Sequence, residues 1–189
     1  YTTFMSSQPS APSALEQLFR VIRHEEPTFL AKLTKNSAIY ATHKYLLGRL
    51  TLIKQIHNFK MEFDLSDPGI SRSLLLVGDR EREHRYILKR VVRPRQTILD
   101  LGANLGYYVL MELGYLGTEG KVIAVEPSPE NFDRMRTNVS LNNVADQVTA
   151  IHGAVAATDG SAELHLSNIS NVHSLIADTV PHASRKSTS

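Results

Sequence analysis

Apolar and polar positions follow one rhythm after residue 96 and another before it. In the later half, short apolar runs are separated by stretches of helical period. "TILDLG" (97–102), "KVIAVEP" (121–127) and "VTAIHGAVAA" (148–157) read as buried strands. "GYYVLMELGYLG" (106–117) and "SPENFDRMRTNVSLNN" (128–143) read as helices between them. The second helix opens with Ser128 as cap, Pro129 at the first helical position and Glu130 in the first turn, and Phe132, Met135 and Val139 form its inner stripe. "AELHLS" (162–167) predicts a further strand after the tight turn at Asp159-Gly160. Apolar strands alternating with helices predict an α/β fold with a parallel sheet covered on both faces.

The earlier half is less regular. Residues 1–12 are polar with two prolines and predict a disordered tail. Ser13 suits the cap of a helix with Leu15, Leu18, Val21 and Ile22 on one face, and Pro27 interrupts it. A second helical stretch runs from Ser37 to His57, with Ala38, Ala41, Tyr45, Leu46, Leu50, Leu52 and Ile53 as its apolar residues. Residues 13–57 therefore read as a helical N-terminal extension. "FKMEFDL" (59–65) alternates as a strand does, "SDPG" (66–69) is a turn, and "SLLLVG" (73–78) is a short apolar run. "REREHRYILKRVV" (80–92) reads as a charged helix with Tyr86, Ile87, Val91 and Val92 on its apolar side, ended by Pro94.

Composition narrows this picture. The 189 residues include no cysteine, which removes disulfides and thiolate metal sites, and no H-E-x-x-H or comparable spacing supports a protein metal site. No apolar run approaches the roughly 20 residues of a membrane span, and no signal-peptide pattern opens the chain, so the expected location is cytoplasmic. The net charge of +2 conceals +7 on residues 1–95 and −5 on residues 96–189. A basic half can favour an anionic partner, but without RGG repeats or interleaved aromatics it reads as solvated helix faces, which argues against nucleic acid. An oligomer is compatible with the sequence.

The chemistry gathers at "ILDLGANLGYYVL" (98–110), where a strand gives way to a helix through Gly102-Ala103-Asn104-Leu105-Gly106. Ligands of such sheets bind beyond the carboxyl ends of the strands. A dinucleotide wants G-x-G-x-x-G, but here Asn104 and Tyr107 stand where the second and third glycines belong. The shorter G-x-N-x-G turn suits a ligand without phosphates, such as S-adenosylmethionine. Asp100 and the carbonyls near Gly102 suit its ammonium, and the turn amides after Asn104 suit its carboxylate. Glu126, at the end of the next strand, suits a ribose diol. Phe132 is a candidate for the adenine pocket. Among histidines that could act as a general base, His152 and His165 lie within predicted strands and His173 on a predicted loop near the strand ends.

The stretches "TILDLGANLGYY", "GKVIAVEPSPENFDRMRTNVSLNN" and "AVAATDGSAELHLS", with "SLLLVGDRE" and Pro94 upstream, resemble the FkbM-type S-adenosylmethionine-dependent methyltransferases over roughly residues 60–176. The resemblance implies a Rossmann-like class I methyltransferase sheet and methylation of a hydroxyl on a sugar, glycan or small metabolite. It implies cofactor contacts at Asp100, Gly102, Asn104, Gly106 and Glu126, and Glu81 matches the glutamate that precedes the first strand; Ala103, Pro127 and Ala154, the last within the predicted third strand, are further cofactor candidates. That family continues with a strand, a "DxEG"-like segment and several more elements. Nothing like them follows His173-Ser174-Leu175. Residues 58–176 then read as the cofactor-binding half of an incomplete methyltransferase domain, followed by a polar tail over 177–189. A non-catalytic nucleoside-binding or interaction module is the competing reading.

Overall fold

The computed structural model describes residues 27–157, 160, 164–166 and 186–188. Its elements in chain order are α1 (Pro27–Ala41), a π-helical turn (Thr42–Leu46), β1 (Thr51–Ile56), β2 (Phe59–Asp64), α2 (Ile70–Val77), α3 (Arg82–Val91) and β3 (Thr97–Leu101). There follow α4 (Tyr107–Leu116), β4 (Lys121–Glu126), α5 (Pro129–Leu141), a 3₁₀ turn (Ala145–Gln147), β5 (Val148–His152), β6 (Leu164–Leu166) and β7 (Lys186–Thr188). The predicted helix from Ser13, the disordered tail and His173 lie outside the described residues. No helix among the described residues is long and apolar enough to cross a membrane.

β3, β4 and β5 form a parallel sheet in the order β3-β4-β5, with Asp100 beside Ala124 and Glu126 beside His152. This is the Rossmann-like α/β arrangement that the alternating pattern predicts. α5 is capped as expected: the Ser128 hydroxyl accepts from the Asn131 amide at 3.4 Å and Pro129 occupies the first turn. Met135 and Val139 are buried on its inner face, and Phe132 packs against the same core.

Other parts of the chain depart from the sequence reading. Thr51–Ile56 is a strand, not the end of a helix. It pairs antiparallel with β2 around the turn at His57-Asn58, from Thr51 opposite Asp64 to Ile56 opposite Phe59. Leu52, Ile53 and Ile56 satisfy either period locally, and pairing with β2 decides between them. Phe59, Met61 and Phe63 point inward from β2 into the core shared with α2, α4 and α5, so a boundary at residue 57 falls inside the hairpin. "SLLLVG" belongs to α2, which ends in left-handed Gly78. α3 buries Leu88 and Val92, while Tyr86, Ile87 and Val91 face outward. β6 pairs antiparallel with β7, apart from the parallel sheet.

The sheet is not covered on both faces among the described residues. Val122 and Ala124 lie fully buried under helices and hairpin, but on the other face Leu99, Leu101 and Ile151 are 59%, 52% and 44% exposed.

Candidate functional site

The turn between β3 and α4 is shaped by its backbone. Gly102 and Gly106 have φ of 79° and 86°, and Asn104 sits at 52°, a left-handed value that asparagine tolerates better than most side chains. A Cβ on Gly106 would meet Met135 Cγ at 3.1 Å, so that glycine lets α5 pack against the turn. A Cβ on Gly102 would meet no atom within 4 Å, so that position is open to a ligand.

Hydrogen bonds fix the turn to its neighbours. The Gly102 and Ala103 amides both donate to the Val125 carbonyl, at 2.9 and 3.0 Å. The Asn104 amide donates to Glu126 Oε2 at 2.7 Å, the Leu105 amide to Asn104 Oδ1 at 2.8 Å, and the Gly106 amide to the Ala103 carbonyl at 2.9 Å. All five turn amides are thus engaged within the protein, and the expected supply of free amides after Asn104 for a ligand carboxylate is not found. Glu126, only 4% exposed, uses its other oxygen to accept the Ser128 amide at 2.9 Å. Each carboxylate oxygen keeps a lone pair for a further donor.

Over this turn lies a pocket of about 260 Å³ lined by Ile70, Arg80, Glu81, Gly102, Ala103, Asn104, Tyr107, Tyr108, Glu126, Pro127 and Asn131. Six of the residues singled out from sequence meet here: Glu81, Gly102, Ala103, Asn104, Glu126 and Pro127. Asp100 does not line it. Its carboxyl lies beneath the turn with Oδ2 buried and lacking a hydrogen-bond partner, and burial followed by repulsion from Glu126 raises its pKa to about 6. Phe132 lies outside the lining and stacks on His152 with ring centroids 5.0 Å apart. Ala154 is exposed beyond β5, and Gly106 serves packing. His152 Nε2 lies 3.2 Å from the Pro127 carbonyl, at the pocket's edge rather than in its lining.

The opposite wall joins Glu81, singled out from sequence, to residues that were not. Glu81, at φ 51°, pairs with Arg80 Nε at 2.9 Å and accepts a hydrogen bond from the Tyr108 hydroxyl. These bonds, the tyrosine's first, hold the Glu81 carboxyl below the ordinary range. Burial, then the bond to Glu81, pushes the Tyr108 phenol well up. Behind it Tyr107 is 1% exposed, and its hydroxyl lies 3.3 Å from both Asp79 Oδ1 and His57 Nε2. Asp79 also holds Arg85 at 2.8 Å. This network ties the β1–β2 turn to the pocket wall. Besides Glu81, the signal in sequence was the tyrosine pair that opens a helix right after the glycine turn.

Comparison with known proteins identifies the family of the domain that carries this site. A model described as the TRM5/TYW2 methyltransferase domain matches residues 53–183, more than half of the chain. The arsenite methyltransferase of Halobacterium salinarum is 33% identical over 78 residues, covering 40% of this chain and 20% of that protein. The ribosomal protein L11 methyltransferase of Clostridium perfringens is 28% identical over 124 residues, covering 64% and 38%. The chain thus spans well under half the length of these curated relatives. Among solved structures, M. jannaschii TYW2 in complex with AdoMet aligns over 56% of this chain and 44% of its own, at 18% identity and TM-score 0.45. The M. jannaschii tRNA m1G37 methyltransferase aligns over 59% and 32%, at 19% identity and TM-score 0.45.

These matches correct two expectations. The matched family is TRM5/TYW2, not the FkbM type, although class I methyltransferase, common to both readings, holds. The expectation against nucleic acid is overturned by the match to the TRM5/TYW2 methyltransferase domain.

Proposed function

The chain belongs to the TRM5/TYW2 family of S-adenosylmethionine-dependent methyltransferase domains, and from that premise we propose that it carries the cofactor half of a transfer RNA methyltransferase. The observation that carries this reading is the pocket where the open Cα face of Gly102, the buried carboxylate of Glu126 and the Arg80–Glu81 pair converge.

The residues present fit the cofactor. Glu126 is held by two backbone amides and keeps acceptor capacity for a ribose diol. Arg80 and Glu81 offer one charge of each sign to the zwitterionic amino-acid end. When bound, S-adenosylmethionine supplies an electrophilic methyl group on a sulfonium centre. The protein's own contribution is then positional: a rigid turn, a walled pocket, and Tyr108 fixed by its bond to Glu81. With the cofactor bound, Glu126, Arg80 and Glu81 would hold it, and the turn and Tyr108 would align its methyl group with an acceptor lone pair.

Support for RNA as acceptor comes from the family match and from α3. This helix starts beside Glu81 on the pocket wall and exposes Arg82, Lys89 and Arg90, with Arg93 just beyond it. A second reading is a nucleoside-binding module without turnover, since the turn, Glu126 and the pocket account for binding alone.

Calorimetry with S-adenosylhomocysteine and transfer of labelled methyl to unmodified transfer RNA test both readings. Glu126→Ala is expected to weaken S-adenosylhomocysteine binding by about tenfold, the loss of a charge-assisted bond. Unchanged affinity removes the ribose role. Binding without transfer to any RNA leaves the module reading.

A further inference from the structure

A concavity larger than the one at the glycine turn lies elsewhere. A cavity of about 630 Å³ lies between α1 with its π-helical turn and the β1–β2 hairpin, against α2. Its volume falls within the range of small-ligand sites, roughly 300–1,000 Å³. Its walls divide by chemistry. Ile39, Leu52, Ile53 and Leu75 are apolar, whereas His43, Arg49 and Lys54 are cationic or able to become so.

The charge there is unbalanced. From Pro27 to Met61 the chain has six Lys or Arg residues and no Asp or Glu. The sole acid in the lining is Glu62, which already pairs with Arg134 at 3.3 Å. Among the described residues Arg49 forms no ion pair, and His43 Nδ1 is buried without a hydrogen-bond partner. Lys54 is partly buried, held by the Leu75 carbonyl, and its pKa falls to about 8 through burial and then the nearby Lys32. The π-helical turn, with the Leu47 amide on the Thr42 carbonyl at 2.9 Å and the Arg49 amide on the His43 carbonyl at 2.9 Å, brings His43 and Arg49 to one rim.

We propose that this cavity is a phosphate-ester site, separate from the cofactor pocket, in which Arg49, Lys54 and His43 hold the phosphate and the Ile39–Leu52–Leu75 wall receives an attached apolar or ring group. A guanidinium fork, an ammonium and an imidazole N–H supply the several charge-assisted donors that a phosphate accepts. Tyr40 does not add a donor, because its hydroxyl is committed to the Leu65 carbonyl at 3.0 Å, while Asn36 Nδ2 spends one N–H on the Leu76 carbonyl at 2.7 Å and keeps the other. The phosphate can belong to a mononucleotide or to the backbone of an RNA. Neither source requires the methyl-transfer reading.

The test titrates the full chain with uridine 5′-monophosphate, with uridine, and with an RNA stem-loop, each in the presence of saturating S-adenosylhomocysteine. Uridine monophosphate binding that Arg49→Ala and Lys54→Gln each weaken by about tenfold assigns a mononucleotide. RNA binding weakened to the same degree, with no monophosphate binding, assigns the phosphodiester. In either case S-adenosylhomocysteine affinity and melting temperature stay at parent values, which separates this site from the cofactor reading. The proposal is overturned if neither phosphate-bearing probe binds, if uridine binds as well as its phosphate, or if both variants bind like the parent.

Discussion

At the scale of single residues, the unusual feature is a set of acids packed beneath the cofactor turn. Glu112 on α4 is 6% exposed, and its Oε2 is buried without a hydrogen-bond partner, as is Asp100 Oδ2 on β3. Burial, then repulsion from Asp100, raises the Glu112 pKa to about 8. The facing charges are Asp100 on β3, Glu126 on β4 and, more distantly, His84 on α3. A carboxyl raised in the folded state keeps its proton there while the unfolded chain has lost it. Stability is therefore greatest below the unfolded pKa of 4.5 and declines as pH rises toward about 8. The ideal slope for one such group is about 1.4 kcal/mol per pH unit. Urea unfolding at pH 6 and pH 8 should show the parent losing stability over that interval and Glu112→Gln losing far less. Equal slopes would mean that Glu112 is ionised in the folded protein. None of this was legible in sequence, where Glu112 is a single polar position in an apolar helix and its exposure depends on which face meets β3. Glu126 was legible, because a strand-end acid after a glycine turn has a chemical reason to be there.

At the scale of elements, the cofactor turn is held from behind by α5. Asn138 is fully buried. Its Oδ1 accepts the Glu62 amide at 2.7 Å, and its Nδ2 donates to the Leu105 carbonyl at 2.8 Å. One side chain therefore joins the β2 strand, α5 and the turn. Asn138→Ala leaves a buried N–H and a buried C=O unpaired and should cost about 3 kcal/mol, measured by urea unfolding. S-adenosylhomocysteine binding should weaken as well, since the Leu105 anchor is lost. A loss below about 0.5 kcal/mol would mean that water replaces the amide. The α5 and β3–β5 elements were readable because caps, glycines and apolar runs agree locally. The β1–β2 hairpin was not. Leu50, Leu52, Ile53 and Ile56 fit a helical stripe as well as a strand, and only the partner strand breaks the tie. On α3, large apolar residues drew attention to Tyr86, Ile87 and Val91, whereas the spacing of Leu88 and Val92 marks the inner side.

At the scale of the whole molecule, the helices and the hairpin lie on one side of the sheet and the other side is open among the described residues. Leu99, Leu101 and Ile151 form an apolar surface there that water opposes. Sequence reasoning anticipated two covered faces, because strands this apolar are ordinarily buried on both sides. Burial on one side is enough to hold the fold, since Val122 and Ala124 carry the packing against the helices. An apolar face open to water among the described residues is a candidate association surface. Leu99→Gln combined with Ile151→Thr should change unfolding free energy by less than about 1 kcal/mol, because surface positions away from special contacts contribute little. If this face mediates self-association, sedimentation of the parent should depend on concentration, and the same pair should lower that dependence and reduce binding of an apolar dye. A loss of several kcal/mol in the monomer would show that this face is packed within the chain itself, and the open surface would then have no part in association.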